Sequence, residues 1–117
     1  MILYFSAECK CGFLMIFDIG RPTPKNRNTF YAPAVCLDCG EFFLRNYCSV
    51  FIKCPKCRKK AHFYDEPFLQ SKEIAEGTVV SCLVDEERRF TLYNKNHLCP
   101  KCKRFSMKFE RGIFFVD

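Results

Sequence analysis

Four close pairs of cysteine punctuate the chain: Cys9-Lys-Cys11, Cys36-Leu-Asp-Cys39, Cys54-Pro-Lys-Cys57 and Cys99-Pro-Lys-Cys102. Two thiolates a few residues apart in a tight turn can reach one metal while backbone N–H groups point at the sulfurs, so four half-sites make two tetrahedral four-cysteine centres. Ten cysteines in 117 residues approach the density at which disulfides or metals staple a small fold. Redox compartment separates those two options. The opening "MILYFSAECKCG" has no basic n-region and only a short apolar run, so the expectation is a chain without a secretory signal. No apolar stretch approaches the ~18 residues of a membrane helix. The expectation is a cytoplasmic or nuclear chain with reduced thiols, holding two Zn2+, with iron as the substitute these ligands also admit.

Two groupings of the pairs are open. Sequential grouping puts Cys9, Cys11, Cys36 and Cys39 on one metal, with 24 residues between the pairs, and Cys54, Cys57, Cys99 and Cys102 on the other, with 41. Nested grouping joins Cys36/Cys39 to Cys54/Cys57 across 14 residues and leaves the outer pairs to meet each other. The 14-residue gap is nearer the usual zinc spacing. Sequential grouping closes shorter loops than the span from 11 to 99 and gives two units of matching internal order. Sequential grouping is therefore the expectation.

That order runs apolar segment, cysteine pair, apolar segment, twice per unit. "ILYF", "FLMIF", "TFYAPAV" and "EFFLRNY" frame the first unit; "SVFI", "AHFY", "FTLY" and "FSMKF" frame the second. Short β-branched and aromatic runs bounded by Gly, Pro and Asn read as strands. Pro22 and Pro24 make 21–28 a polar loop. Pro67 and Gly77 suit the start and stop of a short helix over 67–76, and "TVVSCLV" and "RRFTLY" flank "DEE" as a hairpin. The expected fold is mostly β, small and metal-stabilised, with units at 1–49 and 50–117, the second carrying an insertion at about 65–88.

Cysteine knuckles at hairpin ends, with a strand after the second knuckle, resemble the zinc-ribbon superfamily. Gly12 and Gly40 stand where such knuckles commonly have a glycine, whereas Arg58 and Lys103 occupy that place in the other two. Cys9-Lys-Cys11 is one residue short of the usual knuckle, which makes Cys9 the least secure ligand. The resemblance implies tandem ribbons around structural metal. A narrower likeness, to the acidic hairpin tip in ribbons of transcription elongation factors, rests on Asp85, Glu86 and Glu87 alone, and an ordinary solvated turn is the favoured reading of them.

Cys48 and Cys82 lie inside apolar runs and read as structural thiols. His62 reads as an ordinary half-exposed histidine, and His97 as a reserve ligand beside Cys99. No Ser/His/Asp set, phosphate-cradling glycine loop or metalloprotease motif is present. A closed four-thiolate centre has no coordination position for water, so the expectation is a protein that is not an enzyme, with thiol redox chemistry as the minor alternative.

The formal charge is +6 with neutral cysteines. Two zinc ions, each bound by four thiolates, would each contribute −2, bringing the loaded chain to about +2. Cations nonetheless crowd two knuckles: Lys53, Lys56, Arg58, Lys59 and Lys60 beside one, Lys101, Lys103 and Arg104 beside the other. Phe63, Tyr64, Phe105 and Phe109 interleave with them. Under sequential grouping they form one patch of charge and stacking surface, which suits nucleic acid. The expected partner is nucleic acid or a protein of nucleic-acid machinery. The alternative is a protein-interaction adaptor using exposed Phe and the acidic segment 65–87.

Overall fold

Alternate residues of β1 (Ile2–Cys9) turn Phe5, Ala7 and Cys9 inward and Glu8 outward, the period-two pattern of a half-buried strand. In a computed structural model, which describes residues 2–21, 28–49 and 51–114, β1 is central in a four-stranded sheet. The sheet order is β2–β1–β9–β8, where β2 is Leu14–Phe17, β8 is His97–Leu98 and β9 is Phe105–Phe114. β1 and β9 run antiparallel over eight registered pairs, from Ile2 opposite Phe114 to Cys9 opposite Met107. Their inward faces match, Ala7 against Phe109, while on the outer face Glu8 lies opposite Lys108. Residues 22–27, most of the expected polar loop, lie outside the described residues.

A second sheet contains β3 (Tyr31–Val35) between β4 (Phe42–Asn46) and the two-residue β5 (His62–Phe63). The expected hairpin is present as β6 (Thr78–Leu83) with β7 (Arg89–Tyr93). Its tip closes on itself: Asp85 accepts from the backbone N–H groups of Glu87 and Arg88 and pairs with the Arg88 side chain. This is the exposed turn closed by an Asp side chain, and Arg88 also donates to the Tyr47 carbonyl at 3.3 Å.

One core joins all three sheets. Phe5, Phe17, Phe42, Tyr64, Phe90 and Phe109 are among its buried members, in edge-on and tilted contacts such as Phe17–Phe109 and Tyr64–Phe109. Most aromatic residues therefore serve packing. The division into 1–49 and 50–117 does not describe this arrangement, since β1 and β9, from opposite halves, share the longest strand pairing.

The segment after Pro67 also departs from expectation. Only Pro67–Leu69 forms a helical turn, of 3-10 type; Gln70 then bridges to His97 and Ser71 N–H bonds the Asn96 carbonyl. Residues 70–76 have no apolar stripe to bury a helix against, and Ile74 is exposed.

Asp65 and Tyr47 tie this insertion to the core. The Tyr47 hydroxyl donates to the Asp65 carboxylate, whose pKa burial raises above the usual carboxylate range. Tyr47→Phe should leave that carboxylate without its donor and destabilise the chain by about 1–3 kcal/mol. Denaturant unfolding of the metal-loaded protein would measure this, and an unchanged midpoint would show that the pair contributes nothing.

Candidate metal centres

The eight paired cysteines gather at hairpin tips into two groups: Cys9, Cys11, Cys99 and Cys102, and Cys36, Cys39, Cys54 and Cys57. Within each, the four sulfurs lie within 4.8 Å of one another. Grouping is thus nested, correcting the sequential expectation. Closing the long span from 11 to 99 costs only a logarithmic increment of loop entropy, and the β1–β9 ladder with its buried face offsets it.

Topology explains each group. β1 ends at Cys9, β8 ends one residue before Cys99, and β9 starts three residues after Cys102. Antiparallel pairing of β1 with β9 brings the β1–β2 and β8–β9 tips to the same end of the first sheet. In the second sheet, the β3–β4 tip carries Cys36 and Cys39. A tight turn closed by the Lys53–Lys60 bridge carries Cys54 and Cys57. β5 then pairs with the end of β3 and holds the two tips together.

Three tips share one geometry. The N–H of Cys36, Cys54 and Cys99 bonds the carbonyl five residues on, at 2.9, 2.8 and 2.8 Å. Gly40, Arg58 and Lys103 each donate back to the first cysteine's carbonyl at 2.9 Å. The Cys9–Cys11 tip repeats this one residue shorter: Cys9 N–H bonds the Phe13 carbonyl and Gly12 N–H bonds the Cys9 carbonyl, both at 3.0 Å. Cys9 joins its group despite the shortened turn. The residue after each second cysteine has positive φ: +101° at Gly12, +75° at Gly40, and +63° at both Arg58 and Lys103. The glycine position is thus a conformational requirement, which two non-glycine residues meet at a cost of ~1–2 kcal/mol each.

The sulfur spacing suits a metal, and the cysteines are free thiols rather than disulfides. Sγ–Sγ distances are 3.7 Å for Cys9–Cys102, 3.6 Å for Cys11–Cys99, 3.4 Å for Cys36–Cys57 and 3.3 Å for Cys39–Cys54. A disulfide needs about 2.05 Å, while four thiolates about 2.3 Å from one tetrahedral ion stand roughly 3.8 Å apart. Both groups can hold a metal ion.

Four thiols this close oppose one another's ionisation. The Ser106 hydroxyl and Arg104 N–H draw Cys102 down to about 6, while burial pushes Cys99 up to about 12. In the second group burial opposes ionisation of Cys54, but the N–H groups of Cys57 and Lys56 outweigh it and hold the thiol at about 6. The hydrogen bond between Cys39 and Cys54 pushes Cys39 up to about 12. A divalent cation is the species that lets all four ionise together. Ser106 lies 3.0 Å from Cys9 Sγ and 3.5 Å from Cys102 Sγ. Nothing in its sequence context marked it, because its role depends on the register of β9 beside β1.

The cations sort differently from expectation. Lys56 pairs with Glu41 at 3.6 Å and Lys59 with Asp38 at 3.8 Å, so both reach across to the facing tip. Lys103 Nζ lies over Gly40 of the other centre, and Lys101 Nζ lies beside Gly12. The two basic segments belong to different centres, which meet where Lys103 lies over Gly40. Tyr64 and Phe109 are 0% and 1% exposed and cannot stack on a ligand; Phe63 is half-buried against Tyr47. Phe105, at 47% exposure, lies with Phe68 beside a separate groove. Lys53, Arg58 and Lys60 are exposed and make no ion pair among the described residues.

Cys48 and Cys82 are half-buried against the core and belong to neither group. His62 bonds Glu66 at 2.8 Å and is half-buried. His97 is buried outside the groups, with Nδ1 on the Lys95 carbonyl at 2.9 Å, so it is no substitute ligand. Among the described residues, no helix is long and apolar enough to cross a membrane. Comparison of the chain with known protein families, with curated proteins and with solved structures finds no match.

Proposed function

We propose that the chain is a non-enzymatic module built on two structural zinc ions that associates with nucleic acid or nucleic-acid machinery. The observation that supports structural metal is the fourfold thiol set at each centre, which leaves no position for water or substrate. Four thiolates suit zinc or iron, and zinc is the metal proposed; iron held by four thiolates would colour the protein. The observation that supports nucleic acid is the exposed cations without an ion pair among the described residues: Lys53, Arg58 and Lys60 on one hairpin, and Lys101, Lys103 and Arg104 at the other centre. Metal analysis should find two zinc ions per chain, and zero or one would break the two-centre account. Binding to oligonucleotides should weaken steeply as salt rises. An absence of binding at low salt would remove the nucleic-acid reading.

A second reading, a protein-interaction adaptor, draws support from β2, an edge strand on which Leu14 and Ile16 are 55% and 56% exposed and Met15 is 37% exposed. Four of the seven acidic residues in that segment are engaged within the chain: Asp65 with Tyr47, Glu66 with His62, Glu73 with Ser71 and Asn96, and Asp85 with Arg88. Three exposed side chains on a four-residue strand fall short of a stable dimer face, for which ~1,200 Å2 is typical. An extended apolar segment of a partner, added as a further strand, fits this edge better. Peptide display should then select alternating apolar segments with the native chain and lose them with Ile16→Lys. Selection of no pattern would exclude it.

A further inference from the structure

Phe51 is 77% exposed and stands between two grooves of about 540 and 510 Å3, both of which it lines together with Ser49 and Ile52. Lys60 borders one groove together with Asp65, the His62–Glu66 pair and Arg88, which is paired with Asp85; Arg45, Lys53 and Arg58 border the other. An exposed phenylalanine with Lys60 on one side and Arg45, Lys53 and Arg58 on the other is an arrangement that can hold an unpaired base by its face and the neighbouring phosphates by charge.

The hairpin beneath it is organised around that charge. Lys53 and Lys60 stand directly opposite each other across a β-bridge, where like charges disfavour the pairing. Lys56 and Lys59, on the same turn, are matched with acids of the facing tip. So the hairpin neutralises two of its lysines and leaves the opposed pair facing solvent. Arg58 adds a third cation from a left-handed backbone position that glycine would occupy without strain. Counting the metal centre as −2 and Asp38, Glu41, Asp65 and Glu66 as −4, against Arg45, Lys53, Lys56, Arg58, Lys59 and Lys60, leaves this end near neutral. The placement of Lys53, Arg58 and Lys60, which make no ion pair among the described residues, and not net charge, is therefore what would hold phosphates.

Resting on the nucleic-acid reading above, we propose that this end is a single-strand binding site, with a base stacked on Phe51 and flanking phosphates on Lys53, Lys60 and Arg58. A duplex keeps its base faces covered and cannot use the Phe51 ring. Single-stranded DNA or RNA can, with little regard to sequence, since every base has a face to offer.

The chain has no tryptophan, so Phe51→Trp places a sole indole reporter at the site. With the zinc-loaded protein and labelled 12-nucleotide poly-dT and poly-rU, the expected result is salt-dependent binding, with Phe51→Trp fluorescence quenched on addition of either strand. Phe51→Ala should weaken binding by about 5- to 150-fold, the range for one base stack. The Lys53→Glu, Lys60→Glu variant should bind more weakly still and show a shallower salt slope. Phe105→Ala, in the separate groove, should bind as the native chain does. Zinc content and circular dichroism of each variant establish that it is folded. If the native chain binds strands but Phe51→Ala and the double lysine variant bind equally well, this site is overturned while the nucleic-acid reading stands. Equal affinity for a duplex of the same length also overturns it. If the native chain binds no strand, the broader reading fails, and this site with it.

Discussion

Removing the metal with a chelator at neutral pH is expected to abolish the chain's cooperative unfolding transition. Every tip that closes a hairpin at the metal end of either sheet is held by sulfur ligands that otherwise oppose each other's ionisation. Structural zinc contributes about 10–16 kcal/mol per site in small zinc-dependent folds, as much as the ~5–15 kcal/mol stability of a whole domain. On that scale, two zinc-filled centres would exceed the stability of an ordinary domain. Near-ultraviolet circular dichroism should flatten as the metal leaves and recover when zinc is restored. Acid should act in the same direction, since the ligands must be thiolates and protons compete for them as pH falls. A stripped protein that still melts sharply within about 5 °C of the loaded one would mean that the core sustains the fold unaided.

Gly40→Ala is expected to cost about 2–5 kcal/mol, through two additive causes. At φ +75° an alanine pays the left-handed strain of ~1–2 kcal/mol. Its Cβ would also lie 2.8 Å from the Pro100 carbonyl oxygen and 2.9 Å from Lys103 Nζ. The lysine can swing aside, but the carbonyl belongs to the Cys99–Cys102 turn and moves only if that turn moves; such overpacking adds ~1–3 kcal/mol. Gly40 is thus where the two centres touch. Arg58→Gly, at a comparable φ in the facing tip, should be neutral or stabilising by up to ~1 kcal/mol, because relief of strain is partly offset by the freer unfolded chain. Denaturant midpoints of the two variants, read side by side, separate backbone strain from contact between tips. A change below about 0.5 kcal/mol for Gly40→Ala would show that the tips do not press on each other.

Local chemistry was legible in the chain and long-range pairing was not. The eight cysteines, the β6–β7 hairpin and the glycine-like position after each knuckle follow from spacing and turn requirements confined to a few residues. The grouping of the cysteines depends on β1 finding β9, about a hundred residues away, and period-two apolar patterning does not say which strand will match which. Ser106 was invisible for the same reason. Pro67 and Gly77 carry helix boundary signals, yet 70–76 lacks the apolar face that would make a helix worth burying, and the segment bonds to 94–97 instead. Tyr64 and Phe109 looked like stacking surface because they follow basic knuckles; the core claimed both, since each sits on the inward face of its segment.

Metal counting in paired cysteine variants separates nested from sequential grouping. Cys11→Ser combined with Cys102→Ser touches one centre and should leave one metal ion per chain, whereas Cys11→Ser combined with Cys36→Ser touches both and should leave none. The reverse, one metal retained by Cys11→Ser, Cys36→Ser and none by Cys11→Ser, Cys102→Ser, would contradict the nested grouping and the β1–β9 pairing that produces it.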